Sequence, residues 1–289
     1  MNRGWASIKV AITLCGTDST CIDCRYNRCM PWHRSCLQDP SLSSDNHRSH
    51  VIISLWSGPR NCSTALMYSF AQRRDMSVMD EPLFGHFLEH TGAARPSREA
   101  VLATMPLDRP SILAQFDRPQ TPHLFLKHMA NHTEGWEEIA DFTQHKQVLL
   151  TRDPVRVLAS YQQHIQSPTR LDVCYDHQWR LLNSCKTQRI PLLVVDSDAL
   201  IKDPENQLKR LCTFLDLPWD ANMLRWKPGP RPEDGVWAQY WYQSVHASAG
   251  WEVPRIDQPL PEISDWSQDL LQLLAEVQPI FERLQSHSH

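Results

Sequence analysis

The segment Ser57-Gly58-Pro59-Arg60-Asn61-Cys62-Ser63-Thr64 has the residue types to hold a phosphate. It follows an apolar run, Val51 to Trp56, and opens an amphipathic stretch, which reads as strand, tight loop, helix. Such a loop turns backbone N–H groups and a helix N-terminus toward one spot, and Arg60 adds a full positive charge. The loop is not a Walker A motif. That motif needs two fixed glycines and a lysine before the hydroxyl residue, and here Trp56, Asn61 and Cys62 stand in those places. The plainer alternative is a strand-to-helix turn that happens to carry an arginine.

A second strand-to-helix passage runs from Gln147 to Tyr161. Asp153 suits an N-cap and Pro154 the first helical position. Arg152 ends the strand and Ser160 lies about two turns into the helix. The two side chains can reach one phosphate from different sides. Otherwise Arg152 pairs with a carboxylate and Ser160 is merely exposed. A third passage, Pro191 to Trp219, reads as a buried strand, a linker, and a helix capped by Asp203-Pro204 with Leu208, Leu211, Cys212 and Leu215 on one stripe. Asp196 follows an apolar strand as a Walker B carboxylate does, but without the Walker A lysine it is not read as one.

Glu81 follows another short strand in Met79-Asp80-Glu81-Pro82, and Pro82 biases it toward extended backbone. It is a candidate general base, with Asp80 adjacent and His86 near. The alternative is a carboxylate capping the next helix. Lys127 ends the apolar strand Leu124 to Lys127, where burial without an anionic partner is costly. A ligand or Glu81 would serve as that partner. His128 and His132 follow closely.

In order and spacing these passages resemble the P-loop sulfotransferase family over roughly residues 50–255. The resemblance is nearest to a divergent branch with a Gly58-Pro59-Arg60-Asn61-x-Ser63-Thr64 loop and Asp80-Glu81-Pro82 after the next strand. It implies 3′-phosphoadenosine-5′-phosphosulfate (PAPS) as sulfuryl donor, 3′,5′-adenosine bisphosphate (PAP) as product, and no required metal. The acceptor would be a hydroxyl or amine on a small or medium-sized molecule. It makes Ser57–Thr64 the 5′-phosphosulfate loop, Arg152 and Ser160 the 3′-phosphate site, and Glu81 the base, a place where relatives carry His or Glu. Arg60 stands where many members have a lysine, and Lys127 joins it as a cation of the reacting centre. Lys227 and Arg231 occupy the place of a basic loop over the cofactor. Trp237 is placed to stack on the adenine, and Tyr240, Trp241 and Tyr242 wall the acceptor pocket or simply pack the core.

The elements needed to position these residues follow the same pattern. Strands are expected at 51–56, 76–80, 123–128, 147–151 and 191–196, and helices at 62–73, 134–142, 154–166, 171–188, 204–215 and 265–284. Alternation of this kind gives a mostly parallel sheet covered on both faces, a three-layer α/β/α sandwich. Ligands bind outside the carboxyl ends of such strands, and Ser57, Glu81, Lys127 and Arg152 all fall there. Residues 226–262, rich in Pro, Gly and Trp, read as a long loop or lid.

The 289 residues carry 29 Lys and Arg against 33 Asp and Glu, a formal net charge of −4. No overall basic field attracts nucleic acid, so an anion site must be local. No apolar run approaches the roughly 20 residues of a membrane span. Five of nine cysteines crowd the first 36 residues. Cys21, Cys24, Cys29 and Cys36 allow a zinc site, but the spacing matches no known finger. Residues 1–49 read instead as a poorly ordered extension before a domain spanning 50–289, in a reducing, cytoplasmic setting. Two rivals remain from sequence: another P-loop phosphotransferase such as a small-molecule kinase, and a non-catalytic nucleotide-binding relative.

Overall fold

A computed structural model describes residues 50–117, 119–136, 139–165, 167–251 and 259–288. The expected N-terminal extension and its cysteine cluster lie outside the described residues. Five strands among them form one sheet in the order β2-β3-β1-β4-β5. They are β1 (Val51–Ser57), β2 (Met76–Asp80), β3 (His123–Met129), β4 (Lys146–Thr151) and β5 (Leu192–Asp196). All four pairings are parallel. The order places β1 at the centre, with β3 and β4 on either side, so its carboxyl end opens into the crevice where such sheets take ligands.

Both faces are buried. On one, Ile53, Leu55, Phe125, Val148 and Leu150 pack with α1 (Ser63–Phe70), α8 (Ser197–Lys202) and α9 (Pro204–Phe214). On the other, Trp56, Leu124 and Leu126 meet α4 (Arg109–Phe116) and α7 (Tyr175–Thr187). Leu149 and Val194 are covered by α5 (Pro154–Tyr161), α7 and the C-terminal α12 (Gln268–Gln285). The α/β class and the five strands thus stand as the alternation implies. Among the described residues no helix is long and apolar enough to cross a membrane.

Helix boundaries depart from the expected ones for local reasons. No helix spans 134–142: Gly135 has φ 76°, and 3₁₀ turns at Ala130–Thr133 and Ile139–Phe142 flank it. The expected helix at 171–188 is broken by Cys174, left-handed at φ 69°, into α6 (Arg170–Val173) and α7. α1 and α5 stop at Phe70 and Tyr161, short of the expected ends. The linker after β5 is α8, and Asp196 caps it through the N–H groups of Asp198 and Ala199, a structural duty for that carboxylate. Three further short helices, α2 (Phe84–Thr91), α3 (Arg98–Thr104) and α4, fill the β2–β3 crossover. The region read as a loop holds α10 (Ala238–Trp241) and α11 (Gln243–Ala247).

Candidate active site

β1 ends at Ser57, buried, its hydroxyl donating to the Gly58 carbonyl at 2.9 Å. Gly58 answers a need for space: a Cβ there would lie 3.2 Å from Asn61 Nδ2 and 3.3 Å from the Val173 carbonyl oxygen. Arg60 and Cys62 both take left-handed backbone, φ 59° each, at about 1–2 kcal/mol per residue. Two contacts to neighbouring elements hold this strained turn. Asn61 Nδ2 donates to the Leu150 carbonyl at 2.9 Å, and Ser197 Oγ donates to the Asn61 carbonyl at 2.7 Å. α1 then begins at Ser63 with no side-chain cap. The first N–H groups of a helix have no partner within it, and here they open beside Arg60.

Arg60 Nε donates to Ser160 Oγ at 2.8 Å, and Arg152 Nη1 donates to the Arg60 carbonyl at 2.9 Å. The loop, the end of β4 and α5 therefore meet at one wall. Arg152 Nε also pairs with Asp198 at 3.0 Å, and Arg156 approaches the same carboxylate at 3.3 Å. Burial foremost, together with the charge of Arg152, lowers the Arg60 pKa below its ordinary value. An anion placed there would relieve both effects.

Across the cavity stands an acid pair. The register sets Asp80 beside Lys127 on the neighbouring strand. Lys127 Nζ donates to Asp80 Oδ1 and Glu81 Oε1 at 2.7 Å each, and to the Tyr242 hydroxyl at 2.6 Å. All four side chains are buried. Glu81 is left-handed at φ 47°, with its N–H donating to the Lys127 carbonyl and its own carbonyl accepting from the Phe84 N–H. Its side chain caps no helix. The His132 ring lies beyond hydrogen-bond reach of Glu81 Oε2, its Nδ1 3.9 Å away. Burial first, then Asp80, raises the Glu81 pKa against the pull of Lys127. Lys127 is held charged well above its usual value, because Asp80 and Glu81 outweigh the burial that opposes it. His132 is kept neutral by burial and by Lys127.

One cavity of about 450 Å³ joins the two walls. Gly58, Pro59, Arg60, Asn61, Cys62, Ser63, Thr64, Glu81, Lys127, Arg152 and Ser160 all line it, as do His132, Trp237, Trp241 and Tyr242. Ser57 lies behind the lining. Lys227 is exposed, and Arg231 pairs with Glu233 at 3.2 Å and sits over the Tyr68 ring; neither is among the lining residues. His86 packs on Trp136, and His128 stacks on Trp56 in the core with both ring nitrogens unpartnered. Sequence reasoning missed the partners of these groups: Asp198 behind Arg152, the Arg95–Asp172 ion pair in the lining, and the Tyr242 hydroxyl in the acid cluster. Only the Asp80–Lys127 contact has a local signal, since both residues lie near the carboxyl ends of strands. Tyr242 reaches Lys127 across 115 residues of chain, which no spacing announces.

A profile of the family described as "Sulfotransferase domain" matches residues 51–287. Branched-chain-amino-acid aminotransferase-like protein 1 of Arabidopsis thaliana is 35% identical over 238 residues, which cover 82% of this chain and 42% of that protein. Its companion, protein 2 of the same plant, is 34% identical over 206 residues, 71% of this chain and 37% of the other. The matched stretch is thus about two fifths of these curated relatives. Among solved structures, the sulfotransferase domain from the curacin biosynthetic pathway superposes with a TM-score of 0.50 at 17% identity, covering 79% of this chain and 97% of that one.

Proposed function

The chain belongs to the sulfotransferase domain family, and from that premise we propose that it moves a sulfuryl group from PAPS to a hydroxyl or amine of a small or medium-sized acceptor, leaving PAP. The reading rests on one observation. A cationic loop and a carboxylate with an open oxygen face each other across a single cavity.

The residues present fit a bisphosphate nucleotide. The uncapped start of α1 and Arg60 suit a 5′-phosphate, and Arg152 with Ser160 suits a second phosphate beside it. When bound, PAPS supplies a sulfuryl group already attached to a good leaving phosphate. Arg60 offers its N–H groups to that phosphate and stabilises the charge gathering there. It keeps its own proton throughout. Arg152 anchors the nucleotide away from the reacting end. Glu81 accepts the acceptor proton at Oε2 while Lys127 holds Oε1, so the acceptor's O–H or N–H bond breaks as its new bond to sulfur forms and the bond from sulfur to the phosphate oxygen breaks, its electron pair leaving on PAP. Base assistance of this kind is worth about 10²–10⁴-fold. The charges of Arg60, Arg152 and the loop N–H groups do the work for which a metal is often used. Lys227 and Arg231, outside the lining, have no direct contact in this reading.

The curated relatives carry an aminotransferase-like name. The stretch they share with this chain is about two fifths of their length, and the family model that covers residues 51–287 is the sulfotransferase domain, which favours sulfuryl transfer. A thermal-shift panel of PAP, PAPS, ATP and ADP, with and without magnesium, tests the donor. PAP and PAPS should raise the melting temperature without metal. A shift with Mg-ATP alone would replace this reading by a phosphotransferase.

A further inference from the structure

Lys127 has three N–H donors, and the structure gives each a partner: Asp80, Glu81 and Tyr242. The last is not from the sheet. Tyr242 belongs to the segment 231–246, which crosses the cavity wall and is fastened at two carboxylates. At one, Asp234 accepts from the Tyr68 hydroxyl of α1 at 2.7 and 2.8 Å and bonds His246 Nε2 at 3.0 Å. At the other, Asp80 accepts from the Tyr242 hydroxyl at 2.8 and 2.9 Å and from the Gly235 N–H at 3.2 Å. Tyr242 is therefore the side chain that the crossing segment contributes to the acid cluster, beside the Gly235 N–H.

We propose that Tyr242 is a positioning residue for Glu81: by occupying the third donor of Lys127 it restricts that ammonium to one oxygen of Glu81 and keeps Oε2 open to the acceptor. This rests on the reading of Glu81 as base. Without the hydroxyl, Lys127 has a spare N–H beside a carboxylate that lacks a strong donor on its second oxygen. The ammonium then bridges both oxygens, and the base loses basicity and its open face together. The groups that face Glu81 from the surrounding elements are Asp80 on β2, Lys127 on β3, His132 on the following turn, Tyr161 on α5, Cys174 between α6 and α7, and Tyr242 itself. Of these, Lys127 is the one cation in contact. The Tyr242 hydroxyl lies 3.5 Å from Glu81 Oε1, and its loss alone would raise the Glu81 pKa; a second, fully charged contact from Lys127 outweighs that long neutral one and sets the direction of the shift.

Tyr242→Phe is the suitable variant. It keeps the ring that lies 4.9 Å from Lys127 Nζ and its place in the apolar cluster with Trp237 and Val245, and gives up only the bonds of the hydroxyl, including the one accepted from Trp237 Nε1 at 3.2 Å. The measurement is the titration of Glu81 by difference infrared spectroscopy of carboxylate bands, with Glu81→Gln as subtraction reference. PAP affinity is measured on the same preparations. In Tyr242→Phe the Glu81 titration should move to lower pH, PAP affinity should stay within about twofold, and turnover of PAPS with a surrogate phenol should fall about tenfold or more. Tyr68→Phe loosens the far end of the same segment without touching the cluster, and should leave the Glu81 titration where it is. An unmoved titration in Tyr242→Phe, or an equal shift in Tyr68→Phe, overturns the proposal. Failure of the parent protein to bind PAP would count against the donor reading instead, since the infrared titration needs no donor.

Discussion

A general base in a buried site needs one oxygen held and the other open, and Glu81 has that arrangement, with Oε1 on Lys127 and Oε2 toward the cavity. Glu81→Gln preserves shape and removes basicity. PAP affinity should stay within a few-fold while turnover falls by about 10²-fold or more. Normal turnover per folded molecule would pass the role to His132, whose Nδ1 is buried without a hydrogen-bond partner. The direction of the Glu81 shift predicts a pH profile. The rate should decline as pH falls through a value above the ordinary carboxylate pKa of about 4.3, because burial disfavours the charged base. An acidic limb at or below the ordinary value would contradict that cause. The candidacy of Glu81 was legible in the sequence because it follows a strand, although Pro82 predicts extended backbone there and Glu81 instead turns left-handed at φ 47°. Its hydrogen-bond environment was not, since Tyr242 comes from a distant segment and Lys127 was equally readable as a ligand contact.

At the scale of elements, the loop between β1 and α1 carries strain that other elements hold in place. Arg60, Cys62, Glu81 and Cys174, all lining or adjoining the cavity, have positive φ. Strain of this kind gathers where surrounding structure fixes the backbone for a purpose. Ser197 on α8 and Leu150 on β4 are two of the fixing points. Ser197→Ala removes a buried hydrogen bond and should cost about 1–3 kcal/mol of stability, because the Asn61 carbonyl loses its donor. It should also weaken PAP binding, which denaturant titration and calorimetry together would reveal. Unchanged affinity would mean the loop holds its shape alone. The strands were legible here since each holds a short apolar stretch between turn residues, as a doubly covered parallel sheet requires. The helices were less so. α2, α3 and α4 are eight residues or shorter, too brief for a period to show. Gly135 is a residue type free to turn left-handed, whereas Cys174 does so at φ 69° against its propensity.

For the whole molecule, buried histidines link stability to pH. Burial holds His128 and His132 well below their usual pKa and His145 at about 4. Exposed in the unfolded chain, each would titrate near 6.5. Below that value the unfolded state binds more protons than the folded one, so stability is full above about pH 6.5 and falls as the pH drops toward the folded values. Asp75 and Glu134, whose pKa values are lowered, add their loss only in the carboxylate range, while Glu81, whose value is raised, is a single group working the other way against several buried rings. The urea midpoint should therefore be lower at pH 5.5 than at 7.5; an equal or higher midpoint would contradict the burial of these rings as neutral groups. The central claim concerns the donor, and it is most directly tested by calorimetric titration of PAP and of adenosine 5′-monophosphate, without divalent metal, into the parent protein and Arg152→Ala. PAP should bind the parent tighter than the monophosphate, with a stabilisation of about 2.7 kcal/mol at 100-fold excess over its dissociation constant. Arg152→Ala should erase most of that preference while monophosphate binding persists. No PAP binding, or a preference that survives loss of Arg152, would contradict the assignment of this cavity to a 3′-phosphorylated sulfuryl donor.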